Sequence, residues 1–172
     1  LVAALIVKGL QSQLPLPNNA KLVGLALLYA MLDISVPYPD KLAHVPDKSK
    51  VLPRWLTRLF LDGYLSDLRT PEKAQKLKDP LLSPGLCSTE DLKRFPKTVI
   101  ITAENDYLCH EGEVFADRLE KEAGFTIGQN LFRKTFRGVG HGFDLNPSST
   151  PEMEAAREEA WGMITSAFDP EL

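Results

Sequence analysis

Only two cysteines occur in this chain of 172 residues, Cys87 and Cys109, too few for a disulfide framework. Neither lies in a C-x-x-C pair. Both read as free buried thiols in a reducing compartment, and the cytoplasm is the expected location. Histidine is equally sparse. Three residues with no Cys/His cluster leave no basis for a structural zinc, and no cofactor is expected. Basic runs with interleaved aromatics are absent and the formal charge is -3, which excludes a broad electrostatic pull toward nucleic acid or acidic lipid. No G-x-G-x-x-G follows a strand-like run and no phosphate loop appears, which weakens a nucleotide-binding dehydrogenase reading. No apolar run is long enough for a membrane span. The run at residues 1–7 is far too short to cross a bilayer as a helix and lacks the charged leader of a signal peptide.

What is present supports a core. Apolar residues make up 44% of the chain, and the length fits one domain or a large piece of one. Residues 1–13 are apolar nearly all round until Lys8, as in a buried helix, one whose start is expected to have been cut away. Residues 22–31 form a continuous apolar run, suited to a strand covered on both faces, although periodicity alone does not separate this from a helix. Residues 34–80 are broken by prolines. Within them, 53–61 has helical spacing opened by Pro53, and 61–68 is a candidate second short helix. Ser88 with Asp91 marks a helix start running to about Arg94, and Pro96 stops it. The β-branched run Lys97-Thr98-Val99-Ile100-Ile101-Thr102 predicts a strand. Residues 111–122 predict a helix, ended by Gly124, and 131–136 a third strand. Thr150 caps a last helix with Pro151 in its first turn, running to about Phe168, with Ala155, Ala156, Ala160, Ile164 and Ala167 as its packed side.

This order is a βαβ grammar. The predicted fold class is α/β, with about three parallel strands, flanking helices and a partial helical cap. Chemistry in such sheets gathers beyond the C-terminal strand ends. Two segments lie there: Ala103-Glu104-Asn105-Asp106-Tyr107-Leu108 and Gly138-Val139-Gly140-His141-Gly142-Phe143. Asp106 alone could simply cap the turn that follows it. The glycines flanking His141 suggest a tightly shaped backbone that presents the ring. Together they are two members of a Ser-His-Asp system, in which an imidazole moves the serine proton and a carboxylate fixes its tautomer. The order acid then base, after an earlier serine, is that of the α/β-hydrolase arrangement.

The residues from Thr98 to Leu119, with Asp106 and the Glu111-Gly112 helix opening, resemble the acid segment of the hormone-sensitive-lipase-like carboxylesterase branch of the α/β-hydrolases (fold-3 type). Gly140-His141-Gly142-Phe143 resembles that branch's histidine loop, and Asp79-Pro80-Leu81-Leu82-Ser83-Pro84 its loop before the acid strand. The resemblance implies Asp106 as catalytic acid and His141 as catalytic base. His110 stands where the branch more usually has Asp. The branch's nucleophile serine would fall about five residues before Leu1, with the oxyanion loop further upstream. No serine in the chain occupies a G-x-S-x-G setting. Ser148 and Ser149 are near His141 in sequence but read as a loop leading into a helix cap.

The resemblance therefore implies the C-terminal part of a carboxylic-ester hydrolase, beginning just after the nucleophile elbow. Its expected parts are 1–33 (the helix behind the elbow and first strand), 34–78 (a cap-like excursion) and 79–172 (the core carrying acid and base), all one incomplete domain. The expected partners are a small ester with an apolar acyl group and the missing N-terminal half of the fold, covalent or as a second chain. A homo-oligomer is left open. Trp55, Leu56, Leu59, Phe60, Leu108 and Phe143 are candidates for a substrate pocket, with ordinary packing of the cap as the competing account for the first four. Asp144 is a further candidate neighbour of His141. The alternative function is an inactive ligand-binding or receptor-like protein on the same fold. Without a nucleophile and paired oxyanion donors, the isolated chain is expected to be a poor catalyst.

Overall fold

A computed structural model describes residues 2–10, 22–65, 73–145 and 150–169. Its elements are α1 (Val2–Leu10), β1 (Gly24–Leu28), α2 (Tyr38–Leu42), α3 (Arg54–Tyr64), α4 (Lys73–Lys76), α5 (Thr89–Leu92), β2 (Lys97–Ala103), α6 (Cys109–Lys121), β3 (Leu131–Phe136) and α7 (Pro151–Phe168). The three strands form one parallel sheet in the order β1-β2-β3. Leu25 stands opposite Thr98, and Ile101 stands between Leu28 and Lys134.

β2 is the middle strand, and every residue after Lys97 is buried. That explains its unbroken apolar and β-branched run, since both faces are covered. Ile100 joins Ala3, Val7, Leu25, Phe115 and Leu119 on the face covered by α1 and α6. Val99, Ile101 and Ala103 join Phe136, Phe143, Ala160 and Ala167 on the face covered by α7. Full burial of a side chain such as Phe115, 1% exposed, contributes about 1.5–3 kcal/mol. α6 approaches β2 closely at Gly112, where an added Cβ would stand 2.5 Å from Thr102 Cγ2.

Local signals place several boundaries. Ser88 Oγ accepts the Asp91 N–H at 3.1 Å and starts α5. Thr150 Oγ1 accepts the Met153 N–H at 3.4 Å at the start of α7, with Pro151 in its first turn. Gly124 takes the left-handed backbone, φ 77°, after α6.

Other expectations shift. The 22–31 run yields a strand at its centre only, because the chain turns at Tyr29. α3 continues through Tyr64 rather than dividing at 61, and Pro53 precedes it. The rest of the 61–68 helix and the end of the 1–13 helix lie outside the described residues, as do Ser148 and Ser149. α6 starts at Cys109, ahead of 111. On α7, Ala160 and Ala167 are buried and Ala156 and Ile164 pack beneath them, but Ala155 is exposed; Met153 and Met163 take its place on the packed side. The helix turns 100° per residue, which carries position 155 off the stripe that 153, 156, 160, 163, 164 and 167 share.

Residues 34–65 and 73–78 lie between β1 and the segment leading to β2 and supply the partial helical cap. Its base is fastened by a small apolar cluster. Val45, Tyr107 and Leu108 pack with Met31, Tyr38, Leu42, Val51 and Leu52, so the cap rests directly on the loop that follows β2.

Candidate functional site

The loops after β2 and β3 are laced together. The Glu104 N–H donates to Phe136 O at 2.9 Å and the Asn105 N–H to Val139 O at 3.0 Å. Glu104 Oε2 in turn accepts the Gly138 N–H at 2.8 Å. Gly138 and Gly142 both have positive φ, 73° and 71°, which admits the tight path around His141. Gly140 is constrained by space instead: a Cβ there would stand 2.8 Å from Lys50 O. The cap closes on this loop, with Lys50 Nζ donating to Gly138 O at 2.9 Å and the Asp47 N–H to Asn105 Oδ1 at 3.1 Å.

This lacing sets His141 Nδ1 2.7 Å from Asp106 Oδ2. The Asp106 side chain is fully buried, whereas 27% of the imidazole is exposed. Asp106 Oδ1 accepts the Leu108 N–H at 3.0 Å. Both carboxylate oxygens are therefore committed, one to the backbone and one to the ring. An ionised Asp106 can only accept, so Nδ1 is the donor to it, and in a neutral ring Nε2 is then the acceptor nitrogen. Among the described residues Nε2 has no hydrogen-bond partner. The ring borders a cleft of about 900 Å³ with Val139, Phe143, Leu145 and Met153 on its walls.

Tyr29 forms the other side of the ring's seat. It follows β1 with φ 36°, an uncommon conformation for a side-chain-bearing residue and a local strain. Its ring centroid lies 4.5 Å from that of His141. Its hydroxyl donates to Asp144 Oδ1 at 2.5 Å. Burial, then the bond to Asp144 and the negative charges of Asp144 and Asp106, push the phenol well above its usual range, so it remains a neutral donor.

The structure thus brings Asp106 and His141 together and gives Asp144 to Tyr29. Phe143, 1% exposed, borders the cleft; Leu108, 3% exposed, packs beneath the cap with Tyr107 and Val45. Trp55, Leu56, Leu59 and Phe60 lie on α3 and are not among the residues lining the His141 cleft; Trp55, Leu59 and Phe60 are exposed. Tyr29, Lys50 and Asn105 were missed in the sequence. Only the Tyr29 position offered a signal, as the last aromatic of a strand-like run, and its partner lies 115 residues away.

Both cysteines are free, and burial pushes each thiol up to about 11. Among the described residues no group of three or more His, Cys, Asp or Glu is placed to hold a metal, and no helix is long and apolar enough to cross a membrane.

A sequence model of the alpha/beta hydrolase fold matches residues 1–145. The chain belongs to the α/β-hydrolase family. Within that family it is similar to neutral cholesterol ester hydrolase 1 of Rattus norvegicus, 35% identical over 74 residues, which are 43% of this chain and 18% of the rat protein. Among solved structures it superposes on a thermostable esterase from Pseudomonas putida with a TM-score of 0.71 and 27% identity, covering 97% of this chain and 47% of that one. Carboxyl esterase 2 from the fungus Tuber melanosporum shares the fold at a TM-score of 0.69 and 22% identity, with 96% and 50% covered. This hydrolase-fold chain spans about half the length of those esterases and less of the rat relative.

Proposed function

We propose that this chain supplies the acid and base of a carboxylic-ester hydrolase of the hormone-sensitive-lipase-like branch, with the cytoplasm as its compartment. The 2.7 Å contact between the buried Asp106 carboxylate and His141 Nδ1, with the ring open to a cleft, carries the reading. The similarity to proteins named as esterases supports it. Because the chain spans about half of such enzymes, the nucleophilic serine and the oxyanion donors are assigned to a preceding segment, covalent or on a second chain.

The chemistry follows from the two nitrogens of His141. Nε2 takes the proton of the serine hydroxyl as that oxygen attacks the ester carbonyl. Asp106 holds the Nδ1–H tautomer and stabilises the imidazolium that forms. The imidazolium then gives the proton to the departing alcohol, leaving an acyl-enzyme. Water, deprotonated by the same Nε2, releases the acid and restores the serine. The apolar cleft walls at Val139, Phe143 and Met153 favour an ester with an apolar acyl group. Residues 34–65 and 73–78 are assigned to the cap side of this single domain.

The test is hydrolysis of a p-nitrophenyl ester by the complete protein and its variants. His141→Ala is expected to lower kcat by about 10³–10⁴-fold or more with folding intact. Asp106→Asn is expected to lower kcat by a similar order, through the wrong tautomer, with little change in KM. An undiminished rate in a folded His141→Ala enzyme removes the imidazole from the mechanism.

A further inference from the structure

A second cavity, of about 510 Å³, lies across the acid loop from the His141 cleft and shares no lining residue with it. It opens between α2, the start of α6 and the loop at 85–86. Leu32, Val36, Leu86, Val114 and Phe115 give it apolar walls, and Tyr107, the neighbour of Asp106, forms part of them. Its volume falls within the range of roughly 300–1,000 Å³ usual for small-molecule sites.

The polar groups in this cavity are unusual in what they leave unused. Lys41 is paired with Glu111, and both side chains are buried, 8% and 9% exposed. Glu111 is saturated: Oε2 accepts from Lys41, and Oε1 accepts the Leu32 N–H at 2.7 Å and the Asp33 N–H at 3.4 Å. Lys41 is not. Among the described residues its ammonium donates to Glu111 alone, which leaves two of three donors without an acceptor. A separate small space shares Lys41, Val36 and Tyr107 with this cavity and is also lined by Thr57. Thr57 Oγ1, on a residue 3% exposed, has no well-formed hydrogen bond, and its loose contact is with the Tyr107 hydroxyl. Unused buried donors are costly unless something accepts from them.

The surrounding charges limit what that acceptor can be. Asp33, Asp40 and Glu111 line the cavity. Arg118 is already engaged, with Gly85 O at 2.6 Å and with Glu122. An anion would meet three carboxylates, and a plain hydrocarbon would leave Lys41 unmatched. We propose that this cavity is a second ligand site, which takes a neutral, mainly apolar small molecule through a carbonyl oxygen bound by Lys41. His44 and His110, stacked at 3.8 Å and 13° and both exposed, form its rim.

Backbone amide NMR of the full chain, titrated with three molecules of one shape, tests this. Acetophenone is expected to give saturable shifts at Tyr107, Val114 and Phe115, while His141 is little changed. Ethylbenzene, which lacks the oxygen, and benzoate, which adds a charge, are expected to bind at least about tenfold more weakly. Lys41→Met/Glu111→Gln, which removes the donor without stranding a charge, is expected to weaken acetophenone by a similar factor. Val114→Trp is expected to block it by filling the cavity. Equal binding of ethylbenzene, tighter binding of benzoate, shifts centred on the His141 cleft, or unchanged affinity in a folded variant overturns the proposal. If the double variant does not fold, the ligand comparison and Val114→Trp decide. None of these results bears on the ester-hydrolase reading, which the His141 variant tests separately.

Discussion

The contact between Asp106 and His141 depends on neighbours outside the pair. Gly140 is the clearest case, because its missing Cβ makes room for Lys50 O, a backbone atom that cannot swing aside. Gly140→Ala is expected to push the cap segment at Lys50 or the histidine loop by several tenths of an ångström. A downfield Nδ1–H proton NMR signal from His141, expected near 2.7 Å contact with Asp106, is expected to weaken or vanish in that variant. Gly142→Ala faces open space but a positive φ, so its cost is conformational strain of about 1 kcal/mol rather than a clash. Tyr29→Phe removes the hydroxyl from Asp144, a residue 7% exposed, and leaves a buried carboxylate short of a donor. A loss of about 1–3 kcal/mol in chemical denaturation is expected, because the donor removed serves a charged acceptor.

At the scale of elements, α6 is held to β2 by shape and to β3 by charge. Gly112→Ala would place a methyl 2.5 Å from Thr102 Cγ2, and overpacking of this kind costs about 1–3 kcal/mol. Asp117 binds both Lys121 and Arg133, each at 2.5 Å, and so ties α6 to β3. The bonds from Lys121, then Arg133, lower its carboxyl from 3.8 to about 2. A lowered folded-state value means the stabilisation is present above pH 3.8 and is lost as pH falls through about 2. Carboxyl NMR titration is expected to place the Asp117 midpoint near 2, and Arg133→Met to move it upward. The sequence shows these elements where local chemistry decides them. Thr98 to Thr102 is β-branched throughout, Thr150 and Pro151 cap one helix, and the glycines around His141 mark a shaped loop. What it hid is long-range. Nothing near Lys41 announces Glu111, nothing near Tyr29 announces Asp144, and α2 has no local cap, with Pro37 making no side-chain bond at its start. Ala155 was misplaced because small residues read as packed wherever they fall on a helix.

The molecule as a whole shows surfaces that want company. Among the described residues β1 pairs only with β2, so its other edge offers unpaired backbone groups. On α3, Trp55, Leu59, Phe60 and Tyr64 are 67%, 60%, 62% and 55% exposed, while Thr57 and Leu65 face inward. An apolar area of this kind marks a contact surface or an association hazard. The 172-residue chain alone is expected to self-associate in light scattering at micromolar concentration. Trp55→Lys/Phe60→Lys is expected to reduce this, and co-expression with the proposed preceding segment to reduce it further. A monodisperse wild-type monomer would show that these surfaces are tolerated bare.

The two loops that carry Asp106 and His141 are stitched to each other through Glu104, Asn105, Gly138 and Val139, all within this chain. They form a single bracket, so the bonds that hold Asp106 against His141 all lie after β1. On the proposed reading, a separately produced preceding segment is expected to dock beside this pair, and mixing the two pieces is expected to restore the proposed hydrolase.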